Sequence, residues 1–231
     1  MDVYWLEQSA SDVPETDDWL TPYERARLDS LRFPKRRADW RLGRWTAKQV
    51  VAVCLELPSP AAIEIRAAPS GAPQAFVAGD RAQLAISISH RRGVAVCAAA
   101  PDAIALGCDL ELVEPRSDEF VADYLTVDEQ ALVAREPAVV NVLWSAKESA
   151  LKALGEGLRL DTRRVAVEIG TTAEGVHGWH PLRVRCPGGE TLDGWWDSDG
   201  ELVRTMVASP APHPPVLFGV LARTGIAPQQ Q

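Results

Sequence analysis

Ile104-Ala105-Leu106-Gly107-Cys108-Asp109-Leu110-Glu111-Leu112-Val113 is the strand around which the rest of the chain arranges itself. Its aliphatic and β-branched content marks it as extended. Alternate strand residues point to opposite faces, so Cys108 and Leu110 belong to a core while Asp109 and Glu111 project together on the other side. Upstream, Thr21-Pro22-Tyr23-Glu24 carries a helix start: a threonine cap, proline at the first helical position and a glutamate that closes a capping box. That helix is expected to reach Phe33, where Pro34 follows, and a second runs over 36–57. Strands follow at 63–66, 84–89 and 94–98, with turns at Ser70-Gly71-Ala72-Pro73 and His90-Arg91-Arg92-Gly93. Downstream the order repeats. Helical patterns over 127–134 and 138–154, stopped by Gly155 and Gly157, precede strands at 165–169, 182–185, 203–208 and 216–221. This order predicts an α+β fold of two similar halves, residues 1–105 and 106–226, with a disordered tail over 227–231. No internal sequence repeat is evident to support the duplication.

The chain has 231 residues, 46% hydrophobic and 24% charged, which excludes a disordered chain, a collagen-like fibre and a coiled coil. No stretch approaches the roughly 20 apolar residues of a membrane span. The N-terminus lacks the basic start and apolar core of a signal peptide. Four scattered cysteines, with no Cys-x-x-Cys pair, fit reduced thiols better than a disulfide framework or zinc site. A cytoplasmic protein is the expectation. The net charge is −8, yet the stretch from Thr21 to Lys48 holds nine basic residues against three acidic ones. Arg37, Arg41, Arg44 and Lys48 recur at helical steps and form a stripe. A solvated helix face is the plain reading of a charge run. A small polyphosphate or an acidic protein is the functional one, and a long nucleic acid fits poorly in an acidic chain.

Several familiar motifs are missing: there is no Gly-x-x-x-x-Gly-Lys loop, no third glycine after Gly155-Glu156-Gly157, and no Gly-x-Ser-x-Gly elbow. His177 and His180 flank a Gly-Trp turn and read as ordinary surface or core histidines. Asp109 and Glu111 are more informative. Two carboxylates on one strand face repel unless a cation lies between them, and oxygen ligands of this kind suit Mg²⁺; an edge strand with two solvated acids is the alternative. In Trp144-Ser145-Ala146-Lys147-Glu148-Ser149-Ala150-Leu151-Lys152, residues Trp144, Glu148 and Lys152 line one helix face. Glu148 is a candidate third ligand and Lys152 a candidate phosphate partner, against the plain reading of a surface ion pair. Ser87-Ile88-Ser89-His90 ends a strand with a hydroxyl and an imidazole, both able to donate to phosphate oxygens.

Taken together, Gly107-Cys108-Asp109-Leu110-Glu111 and Trp144-Ser145-Ala146-Lys147-Glu148-Ser149-Ala150-Leu151-Lys152 resemble the Gly-x-Asp-x-Glu and Trp-x-x-Lys-Glu-Ala/Ser-x-x-Lys signatures of the 4′-phosphopantetheinyl transferases of the larger, surfactin-type class. Ser87-Ile88-Ser89-His90 is similar to that family's Ser-His strand end, and the run from Arg36 to Arg44 resembles its arginine-rich helix. The resemblance implies a monomer of two pseudo-twofold α+β halves with coenzyme A between them. It also implies Mg²⁺, with Mn²⁺ as the alternative, held by Asp109, Glu111 and Glu148. Glu148 would be the base and Lys152 would steady the pyrophosphate and the leaving 3′,5′-ADP. Arg27, Arg66, Ser89, His90 and Lys147 join Lys152 as coenzyme A contacts, with His90 nearest the 3′-phosphate. Glu129 matches a family acid, either structural or a distant metal partner. The acceptor would be a serine of an acyl or peptidyl carrier protein serving fatty acid, polyketide, nonribosomal peptide or siderophore synthesis. One departure stands out: many members read Gly-Lys-Pro where this chain has Gly71-Ala72-Pro73, so a lysine is missing at Ala72. The competing readings are a Mg²⁺-dependent nucleotide pyrophosphate hydrolase and a noncatalytic carrier- or nucleotide-binding module.

Overall fold

The computed structural model describes residues 1–155, 160–170 and 178–218. Gly157, His177, residues 219–221 of the expected last strand and the expected tail over 227–231 lie outside the described residues. The first half builds a sheet from β1 (Tyr4–Ser9), β5 (Leu84–Arg91) and β6 (Val94–Pro101), antiparallel in the order β1-β6-β5. Helices α1 (Pro22–Asp29) and α2 (Pro34–Cys54) and a small sheet of β2 (Ile63–Ala67), β3 (Pro73–Val77) and β4 (Asp80–Arg81) complete it. The second half is a five-stranded sheet in the order β7-β11-β10-β9-β8, from β7 (Ala105–Leu112), β8 (Ala166–Ile169), β9 (His180–Arg185), β10 (Thr191–Ser198) and β11 (Leu202–Ser209). Its helices are α3 (Asp118–Tyr124), α4 (Val127–Arg135) and α5 (Val140–Leu154). A last short strand, β12 (Val216–Leu217), returns to the first sheet and pairs parallel with β1. The fold is mixed helix and sheet, and no helix among the described residues is long and apolar enough to cross a membrane.

Side-chain alternation assigns the layers. On β6, Cys97 and Ala99 face α2 with Ala47, Val50, Val51 and Ile86, while Val96, Ala98 and Ala100 face the other way. There they meet Leu106, Cys108 and Leu110 of β7 and Met206 and Ala208 of β11, so the two halves share one apolar seam. Under α5, Leu143 and Leu151 are at most 1% exposed, and each contributes about 1.5–3 kcal/mol through burial.

Both helices of the first half end before the expected boundary. α1 stops at Asp29, where the Ser30 hydroxyl bonds the Arg27 carbonyl and Leu31 turns in against Trp19, Leu20 and Leu28. α2 stops at Cys54 because Glu56 adopts a left-handed conformation (φ 51°) and the Leu57 N–H closes back on the Ala52 carbonyl. β1, β3, β10 and α3 had no counterpart among the expected elements.

The structure exposes a repeat that the linear sequence hid. Leu20-Thr21-x-x-Glu24 and Leu125-Thr126-x-x-Glu129 both form complete capping boxes. The second carboxylate oxygen of each glutamate accepts a strand N–H, Ile65 for Glu24 and Val167 for Glu129. Each glutamate then pairs with a buried lysine of the long helix of its half, Glu24 with Lys48 at 2.6 Å and Glu129 with Lys147 at 2.8 Å. Those lysines sit in matching strings, Trp45-Thr46-Ala47-Lys48 and Trp144-Ser145-Ala146-Lys147.

Candidate active site

The site forms where α5 crosses β7 beside β5. Gly107 permits the crossing: a Cβ there would stand 1.8 Å from the Ser149 carbonyl oxygen and 2.9 Å from the Ala153 nitrogen. Only a residue without a side chain lets the helix approach so closely. Directly preceding the two contact residues, and one turn apart, Glu148 and Lys152 stand on α5 beside the β7 face that carries Asp109 and Glu111.

Asp109 is 5% exposed, and its carboxylate is fully engaged. Oδ1 accepts from Ser89 Oγ and Lys152 Nζ, both at 2.8 Å, and Oδ2 accepts from Ser145 Oγ at 3.0 Å. Behind Ser145 a buried hydroxyl chain continues to Thr205 Oγ1 (2.9 Å) and on to Ser149 Oγ (2.7 Å). Since Asp109 only accepts, Ser145 donates to it, which leaves the Ser145 oxygen free to accept from Thr205. Glu111 accepts from Trp144 Nε1 at 3.1 Å and from Arg116 at 3.1 Å, with Arg91 at 3.5 Å. Lys152 also donates to the Cys108 carbonyl at 3.0 Å. Burial pulls the Lys152 ammonium down, but Asp109, Cys108 and Glu148 outweigh it and hold the group above its ordinary value.

Glu148 differs from its neighbours. Its Oε1 is buried and has no hydrogen-bond partner among the described residues. Burial, then the charge of Asp109, with a smaller push from Glu111, raise its pKa to about 6 against the pull of Lys152.

The structure does not bring all the expected contacts together. Lys147 points away from the acids: it is fully buried, paired with Glu129, and donates to the carbonyls of Thr162 at 2.8 Å and Val165 at 2.5 Å. Its three donor positions are taken by Glu129 and by these two carbonyls. The same pairing gives Glu129 a structural place. Ser89 spends its proton on Asp109. His90 stands at the open end of β5, where partial desolvation lowers its pKa, with Lys152 and Lys35 also lowering it against Asp39. Arg27 is exposed at the end of α1, bonded to the Ser30 hydroxyl at 3.2 Å. Arg66 pairs with Glu64 and lies over the rings of Phe76 and Tyr23. Neither arginine lines the cavities at His90. The basic stripe of α2 is no solvated face either, since most of it packs against the 14–31 segment.

Sequence reasoning missed Arg116, which clamps Glu111, Glu114 and the Asn141 side chain while lying over the Phe120 ring. No local pattern marks it, because its partners come from three elements. A cavity of about 470 Å³ runs from Lys152 and Gly155 past Leu84 and Leu106 to Gly71 and Pro73. Others of about 540 and 210 Å³ meet at Asp39, Trp40 and His90.

Among the described residues no three acidic, histidine or cysteine side chains are gathered closely enough to enclose a cation. Asp109 is turned to Lys152 and Glu111 to Arg116. The donor set itself fits a hard divalent ion, being three carboxylates and no sulfur. The orphaned, charge-crowded oxygen of Glu148 is what such an ion would relieve.

Residues 105–181 match the model of the 4′-phosphopantetheinyl transferase superfamily. No curated protein matches the chain. Among solved structures, the chain is similar to Helicobacter pylori holo-(acyl-carrier-protein) synthase in complex with coenzyme A. The identity is 17%, covering 43% of this chain and 98% of that one, with a TM-score of 0.30. A likeness of that size bears on neither fold nor activity.

Proposed function

We propose that this chain is a 4′-phosphopantetheinyl transferase of the surfactin-type class. In this reading it moves the phosphopantetheine arm of coenzyme A to a serine of an acyl or peptidyl carrier protein, works as a cytoplasmic monomer, and relates residues 1–105 and 106–226 by a pseudo-twofold. The observation that carries the reading is Glu148, a half-buried carboxylate with an unpartnered oxygen and a pKa pushed to about 6, set beside Lys152 and Asp109 within the segment that matches the superfamily. A structural glutamate needs none of those features. Glu129, paired and bonded on both oxygens, is the internal contrast.

In the reaction the carrier serine Oγ attacks the phosphorus that bears the pantetheine arm. The bond from that phosphorus to the oxygen of 3′,5′-ADP breaks. Glu148 takes the serine proton, directly or through water, as a base whose raised pKa suits neutral pH. Lys152, held on Asp109 and the Cys108 carbonyl, meets the charge left on the departing pyrophosphate oxygen. Mg²⁺ held by Asp109, Glu111 and Glu148 would supply further charge neutralisation on the pyrophosphate. Ser89, Ser145 and Trp144 fix the directions of the two β7 carboxylates.

The test is intact-protein mass spectrometry of an apo carrier protein incubated with the chain, coenzyme A and Mg²⁺, beside an EDTA control. Gain of one phosphopantetheine, lost in EDTA, is the expected result. Consumption of coenzyme A with unmodified carriers would replace the transferase by a pyrophosphate hydrolase. Intact coenzyme A across several carriers would leave a binding module.

A further inference from the structure

Two arginines from opposite halves of the molecule converge on Glu111. Its Oε2 accepts from Arg116 Nη2 at 3.1 Å and stands 3.5 Å from Arg91 Nε, while Oε1 accepts from Trp144 Nε1 at 3.1 Å. Both arginines also reach one oxygen of Glu114, Arg91 at 3.3 Å and Arg116 at 3.2 Å. Two guanidiniums and two carboxylates therefore alternate in a closed ring whose formal charges cancel. Arg91 ends β5, Glu111 lies on β7, and Glu114 and Arg116 belong to the segment that leads into α3.

An exposed ion pair would carry little weight, but Arg116 is only 14% exposed and each of its three nitrogens has a partner. Nε donates to Asn141 Oδ1 at 2.9 Å, and the Asn141 amide is tied in turn to the Glu114 carbonyl at 2.9 Å. The guanidinium also lies over the Phe120 ring. The fold thus fixes Arg116 without the help of Glu111. Asp109 is fixed as firmly on its short side chain, by Ser89, Ser145 and Lys152. Among the described residues no three acids, histidines or cysteines enclose a cation, so a divalent ion on these donors needs a carboxylate to turn. Glu111 has one more rotatable bond than Asp109, and the turn takes it off Arg116.

We propose that Arg116, with Arg91 beside it, is a positioning residue that holds Glu111 off the cation and makes divalent-ion binding compete with a pre-formed ion pair. That the ion serves pyrophosphate chemistry rests on the transferase reading above; the competition does not. Without the ion, the arginines neutralise Glu111 and let it stand near Asp109. When the ion enters, Glu111 turns to it and the arginines keep Glu114. A partner that only oriented a ligand would act with the opposite sign, since its loss weakens metal binding by about 10–100-fold.

Titration of the full chain with Mn²⁺, read by the electron paramagnetic resonance of the free ion with and without coenzyme A, tests this. R116Q should bind Mn²⁺ about 10-fold more tightly than wild type, within the ordinary range of coupling between two ligands. R91Q removes the longer and more exposed contact and should gain about 2–5-fold, as for an exposed pair; it serves if R116Q does not fold. R92Q removes a neighbouring exposed charge and should change nothing. In an E111Q background R116Q should have no further effect, because Arg116 acts through Glu111. The proposal is overturned by R116Q, or R91Q in its place, binding Mn²⁺ no more tightly than wild type, by an equal gain in R92Q, or by a gain that persists in E111Q. Absence of Mn²⁺ binding by wild type and R116Q alike, in both conditions, also overturns it. Tighter binding by R116Q in a chain that modifies no carrier would keep the competition and remove only the transferase. Carrier modification with unchanged Mn²⁺ binding would do the reverse.

Discussion

The long helices of the two halves carry the same Trp-x-Ala-Lys pattern, and the pattern does the same structural work only in part. Lys48 and Lys147 make matching contacts: each pairs with the glutamate of a capping box whose other oxygen holds a strand N–H. Their neighbours have diverged. Trp45 packs edge-on against Trp19, whereas Trp144 donates to Glu111. Thr46 bonds its own helix at the Leu42 carbonyl, whereas Ser145 donates to Asp109. Gln49 and Val53 occupy the places of Glu148 and Lys152. The paired capping box and lysine thus occur on both α2 and α5, whereas the acid–lysine pair of Glu148 and Lys152 occurs on α5 alone of the two, and α2 lines the cavity at Arg44 and His90.

The largest effect expected from breaking this comparison is structural. K48M and K147M each leave a buried, partnerless carboxylate, and each should cost about 3–5 kcal/mol in urea unfolding. Nearly equal losses would establish the two pairs as equivalents, while a loss confined to K147M would make the second half alone the scaffold. Next comes E148Q, which should cut transfer by about 10²–10⁴-fold, the range for removal of a general base. The same variant should be more stable than wild type in metal-free buffer at pH 7, because a carboxylate raised from 4.5 to about 6 opposes the folded state once ionised. The gain has an upper bound of about 2 kcal/mol, reduced by the residue's partial exposure. The sign follows from linkage: the folded state binds the proton more tightly, so wild type loses stability as pH rises from 4.5 through 6, and the gain of E148Q should vanish below pH 4.5. Equal melting of the two proteins at pH 7 would refute the crowded carboxylate. The smallest effect separates the hydroxyls. T205V should cost about 1–2 kcal/mol, with S149A adding little on top of it because both belong to one chain. T46A should cost less than either, its hydroxyl serving only its own helix.

The elements that could be read from sequence were those with strong punctuation. Thr21-Pro22 marks α1, Pro34 marks α2, and Gly155 in its left-handed conformation (φ 69°) ends α5. β1 escaped because Glu7, Gln8 and Ser9 dilute Tyr4-Trp5-Leu6, and its pairing partners lie far along the chain. β3 begins at a proline that otherwise signals a turn, and β10 is interrupted by Gly194, where a Cβ would meet the Met206 carbonyl at 2.1 Å. At the site, the two-residue spacing of Asp109 and Glu111 and the four-residue spacing of Glu148 and Lys152 were legible. The place of Lys147 was not, because a lysine beside a glutamate on a helix looks the same in sequence whether it faces water or a carboxylate on another helix. The doubled Leu-Thr-x-x-Glu and Trp-x-Ala-Lys strings carry that signal, but their separations differ between the halves, which hides them from inspection. Arg44 sat in a run of arginines whose separate fates depend on tertiary contacts.

The return of β12 to the edge of β1 bears on how the chain is made. Tyr4 and Trp5 leave the ribosome more than 200 residues ahead of their outer neighbours Val216 and Leu217. At about 5–20 residues per second that interval lasts about 10–40 s. Throughout it the backbone of Tyr4 and Trp5 offers an unpaired edge beside aromatic side chains, the kind of surface that recruits other strands. Glu7 waits almost as long, since its bidentate partner Arg204 lies on β11. β1 is made well before the partners that secure its outer edge, which places its period of greatest exposure to chaperones and to aggregation in the growing chain.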